Sequence, residues 1–497
     1  MEAAIRCWPS LARGAIAPEI YGHFAEHAGR CIYEGLWVGQ DTSVPQRGGI
    51  RLDILAALAH LRVPVMRWPG GAFADEYHWR DGIGPASKRL QSVNARGRQA
   101  EPNTFGTDEF LRFCGEVGAT PYLTANAGSG SAREARDWLE YCSFPGDSAL
   151  AALRARNGRT APVGTPFWSV GNEPWSSGGH YSAGAYAESY LRIATRLRDL
   201  APDIRIFACG AASLGHEGQT QQEWNHDLCA RLSGIPLVDG LTLHARFTRG
   251  GATSFSEAEY YGLLGDVLVL ERDLERTDAL LRYYFPDRKV SIAVDEWGVR
   301  HPEAVVDNGF EQPHTLRDAL LAASVLHLFN RWSHRVEMAN LAQAINVLQC
   351  LAVTEGDKMF LTPTYHVFDM MRAHHHASLL TLETESPEFE TVPAGFDAVR
   401  RLPCLDACAS LSGKKALLTV VNKSLEQPLE TRISFREARP AAVTGRVLQA
   451  TGPREENSFD APSRISARRI RVEPSAEELV HVFPPHSLTA LSITLES

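Results

Sequence analysis

From residue 20 to residue 340 the chain alternates short apolar, β-favouring runs with segments whose leucines and tyrosines recur every three or four residues. The alternation repeats eight times. The apolar runs fall near 20–27, 63–71, 120–126, 166–170, 204–209, 240–244, 289–296 and 336–340. Helical spacing is clearest at 51–61, 109–117, 132–141, 186–200 and 316–329. Strands apolar on both faces and separated by helices belong to a parallel sheet covered on both sides. Eight such units predict an α/β fold, a closed (β/α)8 TIM barrel. An open doubly wound sheet is the competing arrangement. It fits less well, because no Gly-x-Gly-x-x-Gly opens a helix and polar residues crown many of the runs.

The barrel does not use up a chain of 497 residues. Past residue 380 the period changes to two: Leu417, Thr419 and Val421, then Leu429, Thr431, Ile433 and Phe435, then Leu491, Ile493 and Leu495. Turn-rich segments separate these runs, which predicts an all-β sandwich of jelly-roll type. Residues 1–15 hold one short strand and no core of their own, so that strand is expected to complete the sandwich. The expected division is a catalytic barrel over 16–379 and a β-sandwich over 380–497 with residues 1–15 added.

Composition narrows the classes of function. The net charge of -9 comes from interspersed acids and bases, which predicts no nucleic acid or membrane partner. Neither a leader-like segment nor a long apolar run is evident, so the expected location is the cytoplasm. The nine cysteines are scattered, odd in number and without metal-ligand spacing, as suits reduced thiols. His374, His375 and His376 are adjacent and point in different directions, so no metal and no cofactor are expected.

The chemistry concentrates where two apolar runs stop. Pro166-Phe167-Trp168-Ser169-Val170 ends in Gly171-Asn172-Glu173-Pro174-Trp175, and Ile292-Ala293-Val294 ends in Asp295-Glu296-Trp297-Gly298. A lone acid after a strand is more often a cap or a solvated loop residue. Here two stand at the mouth of one expected barrel, three units apart, with tryptophans beside both. Retaining cleavage of a glycoside needs two carboxyl groups roughly 5–5.5 Å apart, and the catalytic candidates are Glu173 and Glu296. The Asn172 amide is placed to bind a hydroxyl next to the reacting carbon.

Longer runs carry a resemblance. Phe24-Ala25-Glu26-His27, the stretch from Arg67-Trp68-Pro69-Gly70-Gly71 to Gly84-Pro85, Gly171-Asn172-Glu173-Pro174, Asp295-Glu296-Trp297, Ala339-Asn340-Leu341-Ala342-Gln343 and Leu361-Thr362-Pro363-Thr364-Tyr365-His366 resemble the family 51 glycoside hydrolases. The resemblance extends to Pro484-Pro485-His486-Ser487-Leu488. It implies a mostly intracellular, retaining α-L-arabinofuranosidase that removes terminal non-reducing residues from arabinan or arabinoxylan fragments, assembled as a homo-oligomer, commonly a hexamer. It also implies Glu173 as acid/base, Glu296 as nucleophile, and Glu26, Asn172 and Gln343 as ligands of arabinose hydroxyls. Trp68, Ala72, His244, Arg246 and Trp297 complete the expected substrate-contacting set.

Two positions depart from the family pattern. Ala72 stands where relatives carry Cys or Asn, and Arg246 stands where a tyrosine usually follows His244. The arginine either faces Glu296 or points into solvent. These departures keep a second reading open: the same mechanism on another furanoside, a D-pentose, or a β-xyloside or β-glucan. A silent carbohydrate-binding protein is the third.

Overall fold

The computed structural model describes residues 3–95, 97–212, 221–473 and 479–496. Its centre is a closed barrel of eight parallel strands: Gly22–Phe24, Val65–Trp68, Thr120–Ala125, Phe167–Val170, Arg205–Cys209, Gly240–Phe247, Ser291–Val299 and Val336–Leu341. Each pairs with its neighbours in sequence, and Asn340 opposite Gly22 closes the ring. Val65, Tyr122, Phe207, Ala293 and Met338 pack together inside it, all at 0% exposure. Glycine makes room for that layer, since a Cβ on Gly240 would stand 2.5 Å from the Phe207 ring.

Most strand bounds agree with the periodicity. The sixth and seventh strands run further than the apolar runs do, to Phe247 and Val299. They stay paired through their polar ends, with His244 opposite Glu296 and Arg246 opposite Gly298. Glu296 therefore sits inside a strand, held by ladder bonds on one side.

Ten further strands form two facing sheets. Six strands, Ser378–Leu379, Leu405–Ser412, Lys415–Asn422, Ser487–Glu496, Arg439–Leu448 and Arg468–Ile470, make one. Thr381–Glu385, Ala3–Trp8, Leu429–Phe435 and Leu479–Phe483 make the other. The N-terminal strand is internal to its sheet, antiparallel to Thr381–Glu385 and parallel to Leu429–Phe435. Its Ile5 and Cys7 are fully buried in the sandwich core.

Lys415–Asn422 is buried on both faces rather than one. Ala416, Leu418 and Val420 join the sandwich core, while Leu417 and Val421 join the barrel-side core. Thr419 accepts from or donates to His327 at 2.8 Å on helix Leu316–Arg331. This strand cements the sandwich to the barrel. The adjacent His374 bonds Ser410 at 2.7 Å and Thr419 at 2.9 Å, which gives the histidine triplet a place in the same joint. All nine cysteines are buried free thiols. Among the described residues no helix is long and apolar enough to cross a membrane.

Candidate active site

The carboxyl-terminal ends of the barrel strands converge on a cavity of about 220 Å³ lined by Glu26, Ala72, Glu173, Arg246, Glu296 and Gln343, with Ser177, Arg300 and Phe310 toward its rim. Drug-sized ligands occupy roughly 300–1,000 Å³, so this volume suits a single small sugar ring.

Glu173 reaches the cavity through a sharp turn. Gly171 takes φ 77° and Glu173 itself φ 42°, left-handed values that a non-glycine residue adopts only when its surroundings hold it. Asp75 supplies much of that hold. Its carboxylate accepts from the backbone N–H of Asn172 at 3.0 Å and from those of Ala127 and Gly128 at 3.1 Å. The loop after the second strand thereby clamps the ends of the third and fourth. Burial pushes the Asp75 carboxyl up to about 7 against those three donors.

Glu173, His244 and Glu296 offer one ligand atom each within 4.8 Å of the others. His244 Nδ1 lies 2.9 Å from Glu173 Oε1 and 3.7 Å from Glu296 Oε2, and its Nε2 lies 3.3 Å from Asp295 Oδ1. Burial opposes a charge on this imidazole, but Glu296, Asp295 and Glu173 outweigh it and lift the pKa to about 9. At neutral pH His244 is an imidazolium that donates from Nδ1 to Glu173 and faces Asp295 with Nε2 as an ion pair. The trio has the shape of a metal site, yet an imidazolium offers no lone pair, and two guanidiniums already occupy Glu296.

Those guanidiniums are Arg67 and Arg246. Arg67, fully buried, donates to Asn172 Oδ1 at 2.8 Å, the Asp295 carbonyl at 3.0 Å and Glu296 Oε2 at 3.4 Å. Arg246 pairs with Glu296 Oε1 through Nη2 and, at 3.2 Å, through Nε, and its Nη2 stands 3.5 Å from Glu173. Burial raises the Glu296 pKa, but Arg246 foremost, then His244 and Arg67, hold it below the usual carboxylate range despite Glu173. Glu296 is therefore held as an ionised carboxylate, the state that a carboxylate needs if it is to attack.

Of the expected sugar ligands, Gln343 Nε2 donates to Glu26 Oε2 at 2.8 Å, and both line the cavity. Burial and Glu296 push the Glu26 carboxyl up to about 7, against Arg67 and Arg246. Asn172 is buried with its amide oxygen on Arg67, so its NH2 group is the end left for a ligand. Ala72 lines the cavity with only its methyl.

Trp68 and Trp297 are elsewhere. Trp68 stacks on Phe110 at 5.0 Å and reaches the site only through His27, to which its indole N–H donates at 3.1 Å. Trp297 packs on Phe329 and Phe368. Alternation along the strand is the reason, since Trp68 follows inward-pointing Arg67 and Trp297 follows inward-pointing Glu296. Arg67, Asp75, Ser177, Asp295 and Arg300 were not singled out from sequence. Ser177 Oγ lies 3.4 Å from Glu173 Oε2, and Asp295 accepts from Tyr122 Oη at 2.8 Å. A charge within an apolar strand, as at Arg67, was the signal available for one of them.

Comparison with known proteins adds an independent line. Residues 57–230 match the family model described as alpha-L-arabinofuranosidase 1 domain, and residues 295–487 match the alpha-L-arabinofuranosidase C-terminal domain. An intracellular exo-alpha-L-arabinofuranosidase of Bacteroides ovatus is 36% identical over 93% of this chain and 90% of its own length. The GH51 arabinofuranosidase crystal structure from Xanthomonas axonopodis pv. citri superposes with a TM-score of 0.92 at 31% identity, covering 99% of this chain and 100% of that one. An alpha-L-arabinofuranosidase from Thermotoga maritima, in complex with arabinose, gives 0.88 at 32% identity over 99% and 100%. Two glycosidase structures with other activities, a glucanase-xylanase and a xyloglucanase, share the fold at 15% and 13% identity. With barrel, sandwich and paired strand-end glutamates all in place, this chain belongs to the family 51 glycoside hydrolases, the α-L-arabinofuranosidase family.

Proposed function

We propose that this protein is a retaining, exo-acting α-L-arabinofuranosidase that removes terminal non-reducing residues from arabinan or arabinoxylan oligosaccharides. The observation that carries the mechanism is the approach of Glu173 and Glu296 to within 4.8 Å in one small cavity. That separation suits direct attack by a carboxylate, because an inverting pair stands roughly 6.5–9.5 Å apart to admit a water.

Glu296 attacks the anomeric carbon as the bond to the leaving oxygen breaks, and Glu173 passes its proton to that oxygen. The imidazolium of His244 stabilises the Glu173 carboxylate that results. Water then loses a proton to Glu173 and displaces Glu296, so the sugar leaves with its configuration kept. Glu26, Asn172 and Gln343 bind the sugar hydroxyls, and Ala72 leaves room beside the ring. Arg246 takes the nucleophile-orienting place of a tyrosine.

The catalytic unit is taken as 16–379 and the sandwich as 380–497 with 1–15, in a cytoplasmic protein that assembles as a hexamer. Support for the location comes from the intracellular relative, and for assembly from the family resemblance.

Glu296→Ala is expected to abolish turnover, and a slow fluorinated arabinofuranoside is expected to leave a glycosyl adduct on Glu296 by mass spectrometry. Glu173→Ala should stall substrates with poor leaving groups far more than nitrophenyl ones, which need little protonation. Equal loss on both would overturn the role of Glu173, and activity confined to a xyloside or glucoside would overturn the choice of sugar.

A further inference from the structure

Arg300 directly follows the seventh barrel strand, its backbone N–H bonded to the Phe247 carbonyl at 2.9 Å. Its half-buried side chain lines the catalytic cavity, with the guanidinium 5.4 Å from the centre of the Phe310 ring, which lines it too. The other cations of the site are matched. Arg67 has Asp295 and Glu296, Arg246 has Glu296 and Glu173, and His244 has Glu173 and Asp295. Among the described residues these ion pairs leave Arg300 with no carboxylate. It is a partly desolvated cation beside a second one, Arg246, and these two effects disfavour its charge more than the unbonded Glu296 and Glu173 carboxylates favour it.

Position gives this charge a direction. Glu173, Glu296 and Gln343 are buried at the floor, whereas Ser176, Ser177, Arg300, Phe310 and Leu348 are partly exposed at the rim. When a terminal sugar fills the floor of a pocket this small, the group it is linked to must leave across the rim. A guanidinium braced on an aromatic ring there presents a planar fork of donors suited to a carboxylate or phosphate.

Resting on the glycosidase reading above, we propose that Arg300 is a specificity residue that recognises an anionic group on the leaving side of the cleaved bond. The preferred substrates then carry arabinofuranose next to a charged unit, either a uronic acid residue or a phosphorylated sugar. Neutral arabinan is turned over with lower efficiency.

The test compares two aryl arabinofuranosides of the full chain's own reaction, 3-carboxyphenyl and the neutral 3-carbamoylphenyl. Their ratio of kcat/KM is measured within each protein, so a general loss of activity in a variant cancels. In the unsubstituted enzyme the carboxylate should be favoured about two- to fivefold at low salt, as for a partly exposed ion pair, with the preference shrinking as salt rises. Arg300→Gln should bring the ratio to one or below, and Arg300→Lys should keep part of it. A ratio of one in the unsubstituted enzyme, or an undiminished preference in Arg300→Gln, overturns the assignment. Turnover of neither substrate overturns the arabinofuranosidase reading and this inference with it. Competitive inhibition separates the two anion sources. Hexuronate inhibition that weakens in Arg300→Gln assigns the carboxylate, and inorganic phosphate inhibition that weakens assigns the phosphate. Inhibition by neither, or equal inhibition of the variant, counts against the site.

Discussion

At the scale of single residues, the site is a carboxylate held ionised by two arginines and a histidine cation. Arg246 is the largest favourable influence on the Glu296 charge, so its removal has a definite sign. Arg246→Gln should move the acidic limb of the kcat/KM profile upward by about one to three pH units, the range for a carboxylate that loses an adjacent cation. An unmoved limb with lower kcat would mean that the arginine acts on the sugar rather than on Glu296. The two glutamates were readable because each ends an apolar run. Sequence left Arg246 open between Glu296 and solvent, and the ladder pairing of the sixth and seventh strands is what turns it onto Glu296. The face presented by Trp68 and Trp297 was not readable from proximity to the acids. A neighbour in sequence on a strand is an opponent in space, and both rings pack outward on helices.

At the scale of elements, the reading of eight strands and of the change of period near residue 380 holds because burial dictates composition over whole runs. What joins those runs is less visible. Asp75 ties the ends of two strands with three bonds to backbone donors that lie 52 to 97 residues away in sequence, and nothing periodic marks it. Asp75→Ala leaves those buried N–H groups without their acceptor, at a cost of about 1–3 kcal/mol for an orphaned donor. It should also release the left-handed turn at Glu173. The expected outcome, if Glu173 is the proposed acid/base, is a lower Tm with a fall in kcat that exceeds any rise in KM, because the turn orients Glu173 rather than the sugar. A fall in stability with unchanged kcat would restrict Asp75 to a structural part.

At the scale of the whole molecule, the buried titrating groups set a pH window. Asp75 and Glu26, both pushed up to about 7, favour the folded state while protonated. Their contribution therefore declines as pH rises from about 4 to 7. His244, raised to about 9, stabilises fully below about 6.5 and loses that contribution as pH climbs through 9. Glu296, Asp295 and Asp406 are held low, so their contribution is present above about 4 and lost as pH falls below it. The buried imidazoles of His23, His314, His366 and His375 are held down to about 3 to 4, so they favour the fold while neutral, and their contribution grows as pH rises toward 6.5, outnumbering the loss at Asp75 and Glu26. Thermal unfolding should accordingly be most resisted near pH 6.5 and weaken toward 9; a maximum at pH 8 or above would contradict this balance. The strand Ala3–Trp8 has a consequence of another kind. Its parallel partner, Leu429–Phe435, lies roughly 430 residues further along the chain. A ribosome adding about 5–20 residues per second makes that partner some 20–90 s after the first strand emerges. For most of that interval, until Thr381–Glu385 is made, Ile5 and Cys7 have no strand to pair with, and the barrel between is free to fold first. The sandwich is thus completed late, when Ala3–Trp8 meets a partner made long after it.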